Sequence, residues 1–456
     1  MIERLARVIL AAPPPSPAAT KQAKLLLLDA IGCSLLGADK AVSLAVARTC
    51  TQPGECLAFG HGRNASLLDA LLMNGVSIRA LDFNDYLVNI VDSEPETGGH
   101  PSDNISVALS VGSAYGRSGA EILASIVRGY ELYARLQAMM DRDGPWDNVS
   151  VSGIVAPAMA GILIGLDETQ MAHALALGLS RAAMPAIVRR EKLSSVKTLA
   201  NALIAQAGIQ AALLAQAGVT GPLSILDDDL GLRHLFAHYD PGRLTQPMPD
   251  QGAIMQARIK LFPCVNTGQG VVEAALRLYA QLPDGPFSLS QIELIMPDYR
   301  IIARQQTDPH RSRPTTRETA DHSFPFLAAV SLIDGAFGLP QFENERWRDA
   351  RVLSLMEKIE MRRDSGMNSR EAYPFPCKIR ATGQDGRTYI AESAQPLKPS
   401  SFEPSDTNSI DKFHRILEPI LPQARRAAIV DAVMEFDQCP STSALDTAIA
   451  KGRIVS

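Results

Sequence analysis

The sequence predicts a mainly α protein: a large all-helical domain over residues 1–258, completed by 405–456, plus a smaller α+β domain over 259–404. Three observations carry this. Apolar residues recur with period 3.6 through about the first 255 residues, these segments are rich in alanine and glycine, and after about Ile259 short strand-like runs begin. At 456 residues the chain is also too long for one ordinary core.

Helices are expected at 21–36, stopping at Gly37, then at 66–80 and 120–140. The apolar stretch 153–166 reads as a buried helix, because it falls short of the roughly 18 residues of a membrane span and contains Pro157, Gly161 and Gly165. Asp167 supplies an N-cap for a helix from Glu168 through His173 to about Ala182, and another runs over 194–217 to Gly218. Small residues such as Ala205 and Gly208 let helix axes approach closely. In the second part, strands are expected at 292–296 and 359–362, with 377–382 and 387–391 paired around Gln384-Asp385-Gly386. Helices at about 271–280 and 326–333 are interleaved, giving an α+β unit that ends near Pro404. The tail is helical from Ile410, interrupted by Pro419 and Pro422, and is expected to return to the first domain.

A net charge of -5 offers no basic surface for nucleic acid or anionic lipid, so neither is an expected partner. The six cysteines lack metal-ligand spacing and read as buried free thiols. The first apolar run is cut by Pro13-Pro14-Pro15, so no signal or anchor is read there and a cytoplasmic location is expected. Walker, GxGxxG, GxSxG and HExxH patterns are absent, and no cofactor or metal is expected.

One constellation carries chemistry. Asp82-Phe83-Asn84-Asp85 is followed, after a polar loop containing Asp92, Glu94 and Glu96, by Gly99-His100-Pro101-Ser102-Asp103-Asn104. Carboxylates beside an imidazole can fix its tautomer and raise its basicity, which suits removal of a proton next to a carboxylate. The competing reading is structural: Pro101 with Ser102 or Asp103 opens a helix, and Asp82 and Asp85 close the preceding one.

Five stretches, AFGHGRNASLLDALLMNG at 58–75, LDFND with GGHPSDN, ILASIVRGYELY at 122–133, KLFPC at 260–264 and ADHSFPF at 320–326, occur in an order that resembles the MmgE/PrpD family. The resemblance implies a homodimer of subunits with a helical domain and an α+β lid, the active site lying between them. It also implies metal-free proton transfer on small polycarboxylates, as in 2-methylcitrate dehydratase, cis-aconitate decarboxylase or iminodisuccinate epimerase. The family's acidic motif falls on Asp82 and Asp85, its histidine on His100, its substrate-facing lysines on Lys197 and Lys260, and its lid motif on Asp321-His322. Arg189, Arg190 and Lys192 stand upstream of Lys197 as further cations.

Departures from the family pattern also fall near the site. Tyr86 stands where many members have threonine and Arg79 where many have histidine, and both are expected to face substrate. The segment Trp146-Asp147-Asn148 lacks the histidine of the decarboxylases. The resemblance therefore implies a dehydratase of the 2-methylcitrate type. His100 would be the base, oriented by Asp82 or Asp85, Lys197 and Lys260 would hold carboxylates, and His322 would be the acid. An epimerase or isomerase, a decarboxylase on a related dicarboxylate or tricarboxylate, or a non-catalytic ligand-binding member is the alternative.

Overall fold

Local signals set most of the helices. The computed structural model describes residues 1–91, 94–141, 143–190, 192–369, 375–393 and 402–450. Asp92, and the stretch leading up to the expected boundary at Pro404, lie outside these residues in whole or in part. Helices form at Pro17–Gly37, Leu67–Arg79, Gly119–Gln137, Ser152–Ile164, Glu168–Leu179 and Val196–Gln216. Asp167 caps its helix with Gln170 as the reciprocal partner, while Ser16, Ser66 and Ser118 cap three others. Gly218 is left-handed at φ 92°, as its place after the helix predicts.

The first of these helices ends at Gly37 as expected, and a Cβ there would sit 2.1 Å from the Ser77 carbonyl oxygen, so glycine is also needed for a close helix crossing. The helical part also contains two short antiparallel hairpins, β1 (Cys56–Ala58) with β2 (Arg63–Ala65), and β3 (Val88–Val91) with β4 (Glu94–Thr97). Strands of three and four residues are too short for an alternating pattern to reveal.

In the second part, β5 (Leu289–Pro297), β6 (Ile359–Asp364), β7 (Lys378–Gly383) and β8 (Thr388–Glu392) make one sheet of order β6-β5-β7-β8. Strand β6 is parallel to β5 and the other neighbours are antiparallel. The turn between β7 and β8 uses Gly386 at φ 81°. Helices Gln269–Tyr279 and Phe324–Asp334 pack on each other and against the sheet. Ile292, Leu294, Ile379 and Ala381 from the sheet share one buried cluster with Val271, Phe326 and Leu327 from those helices.

A larger cluster joins the helices of the first part, from Ile2 to Ile259, to Phe413, Leu417, Ile429 and Val433 of the tail. The first helix, Ile2–Leu10, buries Ile2, Leu5, Ala6 and Ile9 against it. Among the described residues one single helix, Val196–Gln216, has the length and composition of a membrane span. Most of its apolar window is buried within the fold. All six cysteines are free, and five are buried.

The tail helix Asp406–Leu417 also delivers a charge. Lys412 and Asp29, each 1 % exposed in the side chain, pair at 2.6 Å, and Lys412 Nζ donates to the Phe83 carbonyl oxygen at 2.7 Å. The ammonium also lies 4.1 Å from the Phe83 ring centroid. Breaking such a buried pair from one side costs about 3–5 kcal/mol. Lys412→Met is therefore expected to lower unfolding free energy by that order, and adding Asp29→Asn to recover part of it, as measured by denaturant titration. A single variant within about 0.5 kcal/mol of wild type would remove the pair from the account.

Candidate active site

The Leu67–Arg79 helix ends three residues before Asp82, whose φ of 49° is a left-handed conformation uncommon outside glycine. Lys260 holds it there, donating to the Asp82 carbonyl oxygen at 2.6 Å and to its Oδ1 at 2.8 Å. Arg79 Nη1 donates to the same Oδ1 at 2.7 Å, and Lys197 Nζ reaches Oδ2 at 3.3 Å. Each of these four side chains is at most 4 % exposed. Burial opposes ionisation of Asp82, but Arg79, Lys197 and Lys260 hold it well below the ordinary carboxylate value. Burial lowers both lysines, against the pull of Asp82.

Two imidazoles face the same carboxylate. His322 Nε2 lies 3.4 Å from Asp82 Oδ2, and His100 Nε2 lies 4.0 Å from Oδ1. His100 Nδ1–H donates to the Asp85 backbone carbonyl at 2.6 Å, which leaves Nε2 as the bare nitrogen. Burial, with Arg79 and Lys260 nearby, drives the His100 pKa well below 6.5. His322 Nδ1–H donates to Asp321, which Lys197 and Arg317 also approach, at 3.9 and 3.3 Å. Burial and then Lys197 lower His322 to about 4 despite Asp321. Both rings are thus neutral near pH 7, each with an unprotonated Nε2 directed at the cluster.

The turn carrying His100 is fixed from behind. Gly99 has φ 82°, and a Cβ there would meet the Tyr133 hydroxyl at 2.4 Å. That hydroxyl accepts a bond from His100 N at 3.3 Å. Tyr130 O–H donates to Asp85 Oδ2 at 2.6 Å and Ser102 N to Oδ1 at 3.4 Å. Burial raises Asp85 to about 7. Asn84 Nδ2 donates to Ser102 Oγ and Asp103 Oδ1, both at 2.8 Å, and Asn84 Oδ1 accepts from Arg79 at 3.2 Å.

The structure therefore brings together Asp82, His100, Lys197, Lys260, Arg79 and His322. It places two of the expected residues differently. Asp85 orients His100 through its backbone carbonyl, while its carboxyl group is occupied by Tyr130 and Ser102. Tyr86 is fully buried in the sheet-side cluster, where its ring packs as core, and its backbone pairs with Arg258. Ser102 and Asp103 do not cap a helix; they lie in a single 3₁₀ turn, Pro101–Asn104, and serve Asn84. Sequence reading missed Asn84, Tyr130, Tyr133, Arg317 and Lys412. Both tyrosines stand in ILASIVRGYELY, so only their spacing of three on one helix face could have pointed to them.

Asp82, Asp321 and His322 offer three ligand atoms within 4.8 Å of one another, a set that could hold a divalent ion. Arg79, Lys197 and Lys260 already neutralise Asp82 and would repel such an ion. The same cations suit an anion, and the bare Nε2 atoms suit proton removal from it. Cys264 contributes nothing here, since burial raises its thiol well above the ordinary value.

The N-terminal domain of MmgE/PrpD matches residues 3–244 and the C-terminal domain matches 262–436. The chain belongs to the MmgE/PrpD family. Relatives within it carry the names of lyases. Human cis-aconitate decarboxylase is 28 % identical over 340 residues, covering 71 % of this chain and 67 % of its own. The cis-aconitate decarboxylase-like protein oryM of Aspergillus oryzae is 25 % identical over 464 residues, covering 93 % and 92 %. The 2-methylcitrate dehydratase of Salmonella typhimurium is 23 % identical over 359 residues, covering 73 % and 71 %. ADHSFPF falls within the MmgE/PrpD C-terminal match and Asp82, His100 and Lys197 within the N-terminal one, while Lys260 lies between the two, so the site draws on both matched domains.

Because the folded-state pKa of Asp82 is depressed, its contribution to stability is present above the unfolded value near 3.8 and is lost as pH falls through the folded value. Asp82→Asn is therefore expected to be less stable than wild type above about pH 4, with the gap narrowing in more acidic solution. Unfolding titrations at several pH values check this, and a gap that stays constant down to the acid transition would contradict the ion-pair reading.

Proposed function

We propose that the chain is a metal-independent lyase acting on a small polycarboxylate, with dehydration of a 2-methylcitrate-like substrate as the leading reaction. One observation carries this: a neutral imidazole, His100, presents its unprotonated Nε2 beside three cations within a buried site. Arg79, Lys197 and Lys260 neutralise substrate carboxylates and stabilise the enolate-like charge that builds as the α-proton leaves. His100 accepts that proton, the electron pair of the broken C–H bond forms the double bond, and the β-hydroxyl departs as water.

The departing hydroxyl needs a proton. His322, held neutral by burial, has none to give at Nε2, so this reading moves the acid role from His322 to the ammonium of Lys197. His322 then positions Asp321 and Lys197. Decarboxylation of a cis-aconitate-like substrate is the second reading, supported by relatives that carry that name or are named as like it. It would use the same cations to stabilise charge left by carbon dioxide. We further propose a homodimer, consistent with Leu203 and Leu214 lying 38 % and 39 % exposed on the Val196–Gln216 helix.

Proton NMR in D2O with EDTA tests the proposal, offering 2-methylcitrate, citrate, cis-aconitate and iminodisuccinate separately. The expected result is elimination, with loss of the α-proton signal and deuterium entering recovered substrate only where proton removal reverses, at a rate that His100→Asn lowers at least about a hundredfold. A new decarboxylated product would select the second reading. No change in any substrate, or full activity of folded His100→Asn, would overturn the proposed base.

A further inference from the structure

The turn that carries Asp82 is held by its carbonyl oxygens. It runs from the end of the Leu67–Arg79 helix to Tyr86, whose backbone pairs with Arg258. Within it, three carbonyls are taken by side chains from elsewhere in the chain. Lys260 Nζ donates to Asp82 O at 2.6 Å, Lys412 Nζ to Phe83 O at 2.7 Å, and His100 Nδ1–H to Asp85 O at 2.6 Å. The proposed mechanism uses Lys260 and His100 and leaves Lys412 without a part.

Lys412 repeats the geometry of Lys260. Each is a buried ammonium that bridges a backbone carbonyl of this turn and a buried carboxylate, Asp82 for Lys260 and Asp29 for Lys412. The two bridged carbonyls are consecutive, and they follow the left-handed φ of Asp82, a conformation that persists only where its surroundings fix it. Lys412 arrives on the tail helix Asp406–Leu417, whose Phe413 and Leu417 share a buried cluster with Leu28 and Ile31. Its ammonium also lies 4.1 Å from the Phe83 ring centroid, so Phe83 is gripped at its carbonyl and at its ring. A buried ion pair alone seldom adds net stability over apolar residues of the same size. What this ammonium adds is the bond to Phe83, two residues ahead of the carbonyl that fixes His100.

We propose that Lys412 is a positioning residue of the active site: by holding the Phe83 carbonyl it sets the course of the chain from Asp82 to Asp85, and so delivers the Asp85 carbonyl to Nδ1 of His100. It acts through the backbone and touches no substrate. The inference deepens the proposed function and rests on it for the role of His100 as the base. The tail of the chain thereby serves the site as well as the core.

Histidine 15N NMR of the full chain at pH 6.5 reads this positioning separately from stability. The variants are Lys412→Met and the double variant Lys412→Met with Asp29→Asn, which leaves no unpaired buried charge and serves where the single variant does not fold. In both, the His100 proton is expected to redistribute between Nδ1 and Nε2, while His322, held by Asp321 on another segment, keeps its wild-type signals. With a substrate that wild type transforms, kcat should fall at least about tenfold, by more than KM changes, and Lys412→Arg should restore part of it. A folded double variant with wild-type His100 signals would overturn the proposal and leave Lys412 a purely structural residue. An equal change at His322 would also overturn it, because it would report general loosening. If His100 of wild type already carries its proton on Nε2, the proposed base and this inference fall together. A tautomer lost in the variants of a chain that transforms no polycarboxylate would uphold the positioning and overturn the proposed reaction.

Discussion

A single buried carboxylate, Asp82, is the constraint on which the site depends. Its two oxygens and its backbone carbonyl meet Arg79, Lys197 and Lys260, while His100 and His322 face it from either oxygen. These groups come from segments far apart in the chain. Arg79 and Lys197 belong to the helical part, whereas Lys260 stands at the start of the second part and His322 ahead of the Phe324–Asp334 helix. Buried charges are tolerated only in each other's company, so the site is complete only where these segments meet.

That arrangement sets the protonation states. Opposite charge would raise the two histidines, but burial and the neighbouring cations outweigh it and leave both neutral. The cluster thereby separates its roles: cations to hold anions, imidazoles to take protons. Asp85, which sequence alone groups with Asp82, takes another part. Burial raises it, Tyr130 and Ser102 satisfy it, and its carbonyl fixes the tautomer of His100. Beneath it, Lys412 ties the same loop to Asp29.

Much of the fold was legible because its signals are local. Periodicity, serine and aspartate caps, and the glycine after Gln216 place the long helices to within a few residues, and Gln384-Asp385-Gly386 marks the one sheet hairpin. The β1/β2 and β3/β4 hairpins were not legible, being too short to alternate. The helix stops at Gly37 as expected, but nothing near this glycine in sequence shows that it also answers to Ser77 on another helix. In the site, the residue types of Asp82 and His100 were enough to attract notice. Lys197, Lys260 and His322 came through the family resemblance, since nothing near them in sequence indicates convergence. Tyr86 shows the limit of such transfer: its position adjoins the motif, but its ring turns into the sheet-side core. Lys412, more than 300 residues from its carbonyl acceptor, gives no local sign at all.

The central claim is that His100 stands as a neutral base with its proton on Nδ1, beside a permanently ionised Asp82. Two-dimensional proton–nitrogen NMR with selectively 15N-labelled histidine, assigned by His100→Asn and His322→Asn, reads tautomer and charge directly. At pH 6.5 the account predicts that both rings are neutral, each with Nδ1 protonated and Nε2 bare. An imidazolium at His100, or a proton on its Nε2, would contradict it.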